Sequence, residues 1–62
     1  MKGLKRTRQS KGISLRNLAE KSHVHYTTIA RIEAGHLNPT IKTLNKLAKA
    51  LGVNIEELIK GG

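Results

Sequence analysis

Cysteine, aspartate, tryptophan and phenylalanine are all absent from this chain of 62 residues. Without thiols there can be no disulfide framework and no thiolate metal or redox site. Acidic residues number four, all of them glutamate. The one adjacent pair, Glu56-Glu57, occupies neighbouring helical positions that point apart, so no carboxylate pair is placed for acid–base work. The chain does not read as an enzyme, and no small-molecule cofactor or metal is expected. Tyr26 is the one aromatic residue. No stretch sustains the apolar–polar alternation of a strand. No apolar run approaches the roughly 18 residues of a membrane span, and the N-terminal stretch lacks a signal peptide's apolar region. The expectation is a soluble cytoplasmic protein with no membrane partner.

Positive charge is what the chain has in excess. Twelve lysines and arginines face the four glutamates, giving a formal net charge of +8 and a pI near 10.5. An excess this large in so small a body favours polyanionic partners. Solubility is the plainer explanation, because small domains often carry a net charge of magnitude about 2–8.

Gly12, Gly35 and Gly52, with Pro39 between the last two, divide the chain into helical segments. Residues 2–11 read as a basic first helix with Leu4 as its main apolar contact. Ser14 is the expected N-cap of a second helix running to about Ser22. A third helix is expected over Tyr26 to Ala34, with Ile29 and Ile32 inward and Gly35 just past its end. Thr40 should cap a fourth helix that carries Ile41, Leu44, Leu47, Ala48 and Leu51 at helical spacing and stops at Gly52. Asn54 and Glu57 have capping-box spacing for a short fifth helix bearing Ile55, Leu58 and Ile59. Gly61 and Gly62 should fray. The expected fold is all-α: one domain over residues 1–62, a compact bundle of five short helices, ordered over about 2–60. Its expected core is Leu4, Ile13, Leu18, Ala19, Val24, Ile29, Ile32, Leu44, Leu47, Ala48, Leu51, Val53 and Leu58.

About three residues, Ser22-His23-Val24, join the second helix to the third. That is the length of a helix-turn-helix connection, whose second helix enters the DNA major groove. The positions Arg8, Ser14, Leu18-Ala19, Val24, Ile29, Glu33, Gly35, Pro39, Leu44, Leu47-Ala48 and Leu51-Gly52-Val53 carry a more specific likeness. Through them the chain resembles the lambda-repressor-like (Cro-type, xenobiotic-response-element-type) helix-turn-helix DNA-binding family, from about Leu4 to Leu58.

That resemblance implies a bacterial or phage-encoded regulator of transcription, in the first instance a repressor, working on the nucleoid. It also implies a structural ion pair between Arg8 and Glu33. Base-reading positions carried over from the family are Tyr26, Thr27, Thr28 and Arg31. Phosphate-contacting positions are Ser14 and Leu15 at the start of the second helix, His25 at the start of the third, and His36, Asn38, Thr40 and Lys42 around the following loop. The implied partner is double-stranded DNA, bound by a homodimer on half-sites about 34–36 Å apart. Ile55, Leu58 and Ile59 are the candidate self-contact. An antitoxin or polypeptide-binding adaptor built on the same fold is the alternative.

The chemistry of these side chains suits the roles. Arginine can make a bidentate contact to guanine O6 and N7. Threonine methyls suit the thymine methyl, and their hydroxyls suit a base or a phosphate. Tyr26 could stack on sugar, bond to phosphate or pack on its own turn. With Ile29 and Ile32 inward, Tyr26, Thr27, Ala30 and Arg31 should face outward.

The chain also departs from the family. His23 stands where glycine is common and the turn often needs a positive φ. Leu15 stands where glutamine is common, and Asn17 where a glutamate would complete the Ser14 capping box. The His23-Val24-His25 spacing would suit a metal on a strand, where i and i+2 share a face. In a turn leading into a helix, His23 is better read as the turn residue and His25 as the N-cap beside a phosphate.

Overall fold

The computed structural model describes residues 1–60, so the expected fraying of Gly61 and Gly62 lies outside the described residues. Five helices follow one another: α1 (Lys2–Ser10), α2 (Leu15–Ser22), α3 (Tyr26–Ala34), α4 (Ile41–Leu51) and α5 (Ile55–Lys60). The described residues contain no strand.

The helix ends lie where local chemistry puts them. The Ser14 hydroxyl accepts the Asn17 N–H at 3.0 Å and caps α2. Thr40 caps α4 in the same way, accepting the Thr43 N–H at 3.2 Å. Both side chains replace a hydrogen bond that the first helical turn cannot supply itself. At the other end of α3, Gly35 adopts φ 81°, which lets the Gly35 N–H reach Ile32 O at 3.1 Å and the His36 N–H reach Arg31 O at 2.9 Å. Those two bonds satisfy carbonyls that the helix end would otherwise orphan. At α5 the expected side-chain capping box gives way to a main-chain bond, from the Glu57 N–H to Asn54 O at 3.0 Å.

The end of α2 is built without glycine. His23 has φ 60° and ψ 29°, and among the described residues no other non-glycine has a positive φ. Its N–H still closes the helix, donating to Ala19 O at 3.0 Å. A left-handed conformation costs an L-residue roughly 1–2 kcal/mol, an expense glycine avoids but partly returns through its greater unfolded-state freedom. His23→Gly should therefore hold or raise the melting temperature, by the equivalent of up to about 1 kcal/mol. A clear fall in a thermal melt would mean that the imidazole itself holds the turn.

Leu4, Leu18, Ile29, Ile32, Leu47 and Leu58 are fully buried, and Leu44, Ala48 and Leu51 nearly so. Ile13, Ala19, Val24 and Val53, expected in the core, are half-buried and pack against it, joined by Met1, Leu15, Ala50 and Ile55. α1 packs on α3 and α5, while α4 packs on α2 and α5. The result leaves α3 on one side of the domain, held by α1 and α2.

Ile41, carried on α4 but not in the expected core, is 64% exposed. Two apolar expectations are corrected. Leu58, offered as part of a self-contact, is wholly committed to the core, whereas Ile59 beside it is 54% exposed. Ala30, expected to face outward, is half-buried.

Candidate nucleic-acid interface

The orientation of α3 is set first by an ion pair at its end. Arg8 Nε donates to Glu33 Oε2 at 2.7 Å, and the Arg8 guanidinium makes a second bond to Oε1 at 3.1 Å. A third donor reaches Ile13 O at 2.9 Å, so one side chain ties together α1, the α1–α2 turn and the end of α3. Both side chains are largely buried, at 11% and 6% exposure. The hydrogen bonds that Arg8 donates to Glu33, and the negative charge of Glu33, raise the Arg8 pKa above its ordinary value, against the opposing effect of burial. This geometry gives Arg8 to the fold.

The second constraint is the short connection His23-Val24-His25 between α2 and α3. Ser22, the last residue of α2, is buried beside it. Its hydroxyl donates to Leu18 O at 2.6 Å and accepts the Val24 N–H at 3.3 Å. A serine at a helix end was legible in the sequence, but its double role across the turn was not. With Leu18 and Ile29 fully buried on the two helices, the two helices are locked as one unit.

The face of α3 turned away from Ile29 and Ile32 carries the residues expected to read bases. Thr27 and Arg31 are exposed, Thr28 is half-buried, and Tyr26 is 50% exposed. Tyr26 also lines a shallow cleft with Ala19, Glu20, His23, Val24 and His25. Exposed hydroxyl, guanidinium and phenol groups thus share the first two turns of one helix.

The residues expected at phosphates occupy three places. His25 is the N-cap of α3 and is exposed, and its side chain makes no capping bond. Unlike α2 and α4, which Ser14 and Thr40 cap, α3 therefore keeps its leading N–H groups open, as an anion-binding helix start requires. Ser14 is exposed at the start of α2. Leu15 is a correction in part: it is half-buried and packs on the core, so only its main chain is available. His36, Asn38, Thr40 and Lys42 are all exposed around the α3–α4 loop. The Thr40 hydroxyl is already engaged, donating to Thr43 Oγ1 at 3.1 Å. That bond brings in Thr43, which nothing in the residue pattern singles out.

His23 lies in the left-handed turn and His25 at the start of α3. Among the described residues no three histidine or carboxylate side chains gather as metal ligands. No helix among the described residues is long and apolar enough to cross a membrane.

Comparison with known proteins gives a consistent picture. A family model described as helix-turn-helix matches residues 4–58. The HTH-type transcriptional regulator PuuR of Escherichia coli K12 is 39% identical over 56 residues, covering 90% of this chain and 30% of that protein. The SPbeta prophage-derived uncharacterized HTH-type transcriptional regulator YonR of Bacillus subtilis 168 is 38% identical over 58 residues, covering 94% of this chain and 54% of YonR. The HTH-type transcriptional regulator DdrOP3 of Deinococcus deserti is 29% identical over 58 residues, covering 94% and 45% of the two chains. The chain thus spans between about a third and a half of these curated relatives. No solved structure gives a significant match.

Proposed function

The chain belongs to the helix-turn-helix family, and from that membership and the geometry of α3 we propose that it is a sequence-specific double-stranded DNA-binding regulator of transcription, acting as a repressor in the cytoplasm at the nucleoid. The observation that carries this reading is the combination on α3. Ile29 and Ile32 are fully buried on one side, Thr27 and Arg31 are exposed on the other, and the helix start has no side-chain cap.

In this reading α3 lies in the major groove with its first turn toward base edges. Arg31 makes a bidentate contact to a guanine, Thr27 and Thr28 meet a thymine methyl or a base, and Tyr26 adds a sugar or phosphate contact. Ser14, the Leu15 main chain, His25, His36, Asn38, Thr40 and Lys42 hold the backbone on either side, setting register and affinity but carrying no sequence information. The net charge of +8 supplies attraction to any duplex. Two copies would bind half-sites about one helical turn apart, with exposed Ile59 and half-buried Ile55 at the self-contact.

Arg31→Ala tests the assignment. It should relax preference for the cognate site by about 1–3 kcal/mol while leaving most non-specific binding in place. Titrations of the cognate and a random duplex in the same buffer measure both quantities. If the two affinities fall by the same factor, Arg31 contacts phosphate and the base reader lies elsewhere. Footprinting on duplexes selected from a random pool should show two protected half-sites. One isolated half-site would rule out the dimer.

A further inference from the structure

An open groove of about 740 Å³ runs between α4 and α5, and of its lining the DNA reading uses Lys42, at a phosphate, and Ile55, at the self-contact. Ala48, Val53 and Ile55 line it with apolar surface, and Asn45 and Asn54 add amide groups. Ile41, Asn45 and Ala48 fall at i, i+4 and i+7 and so share one face of α4. Ile41, 64% exposed, therefore extends the apolar strip beyond the end of the groove.

Beside that strip, one residue further along at each step, run Lys42, Lys46 and Lys49. Among the described residues the one ion pair is Arg8–Glu33, so no glutamate neutralises this row at close range. On its far side lies a second cleft, lined by Lys21, His23, Lys46 and Lys49 and by no acidic residue. Across the groove, α5 contributes Glu56.

We propose that this groove docks an acidic amphipathic helix of a partner polypeptide. The partner's apolar side chains would cover Ala48, Val53 and Ile55, and its carboxylates would face the lysine row. Charge complementarity selects an acidic occupant, and the apolar lining selects a polypeptide over a duplex. A phosphate backbone has no apolar group to bury there, and Glu56 across the groove leaves the lysine row as the side for the partner's carboxylates. Lys46 and Lys49 take no part in the proposed DNA contacts, whereas Ile55 is shared with the proposed self-contact, so an occupant of the groove would compete with that contact.

The test uses the full chain and a labelled synthetic helix with glutamates along one edge and leucines on its apolar face. Amide shifts on adding this peptide should centre on Ala48, Val53 and Ile55. The double variant Lys46→Glu, Lys49→Glu should bind it about tenfold more weakly, as expected for two reversed rim charges. A peptide with serine in place of leucine should lose affinity by a similar factor, and random duplex DNA should not displace the original peptide. Shifts spread evenly over the basic surface or centred on α3 would overturn the proposal. So would equal binding of the serine peptide, displacement by the duplex, or no shift at the groove with millimolar peptide. Because the shifts are read on the unsubstituted chain, the test stands even if the double variant folds poorly.

Discussion

Replacing Arg8 by alanine should lower stability by about 3–5 kcal/mol, the usual result of removing one partner from a buried ion pair. The geometry explains the size. Glu33, whose side chain is 6% exposed, would be left buried without its partner, and Ile13 O would lose the donor now 2.9 Å away. A domain of this length has a total stability of only about 3–9 kcal/mol, from roughly 0.05–0.15 kcal/mol per residue. The variant should therefore melt well over 10 °C lower, at about 4–8 °C per kcal/mol, or fail to fold at all. Arg8→Lys should recover only part of the loss, since an ammonium cannot reproduce two bonds to one carboxylate and a third to a carbonyl. Replacing both partners, as Arg8→Met with Glu33→Leu, should be far milder than either single change, because no charge is then stranded. Thermal melts of these variants decide the matter. A loss under about 1 kcal/mol for Arg8→Ala would show the pair to be a surface-type interaction. The upward shift of the Arg8 pKa has a clear sign: its stabilisation is fully present below the ordinary arginine value and disappears only above it, so arginine titration plays no part near neutral pH.

Ile29→Ala should be nearly as damaging, at about 2–5 kcal/mol, the range for truncating a fully buried aliphatic side chain. Ile29 is 0% exposed and sits on α3 itself, so the resulting cavity would loosen the helix proposed to face DNA. Stability and DNA binding should decline together, and cooling should restore part of the binding. Arg31→Ala forms the contrast, since an exposed substitution away from special features usually changes stability by no more than about 0.5 kcal/mol. The two variants thus separate folding from reading. If Ile29→Ala melted like the parent chain, α3 would be held by something other than its buried face.

The helices were readable because each boundary carries its own local chemistry. Ser14, Thr40, Gly35 and Gly52 mark ends that the main chain then adopts, and Ile29 with Ile32 declares the inner side of α3. The left-handed turn at His23 was legible by contrast with the glycine usual in similar chains. What escaped was decided by neighbours distant in sequence. Leu58 was legible as a core residue but was also offered as a self-contact, and its complete burial against the packed helices takes it out of that role. Nothing in the residue pattern marked the Ser22 bridge or the Thr40–Thr43 bond, because each needs the folded turn to bring its partners together. The candidate reading residues were legible as types and positions, while Leu15 shows the limit: a place at a helix start did not reveal that its side chain turns to the core.

The central claim is that α3 reads sequence and the basic surface does more than hold DNA. Competition between one selected duplex and a random duplex of equal length, at a fixed physiological salt concentration, tests it directly. The selected site should win by at least about 10³, the low end for specific DNA-binding proteins, and Arg31→Ala should erase a large part of that ratio. Equal competition by the two duplexes would contradict the claim and leave a protein that binds DNA by charge alone.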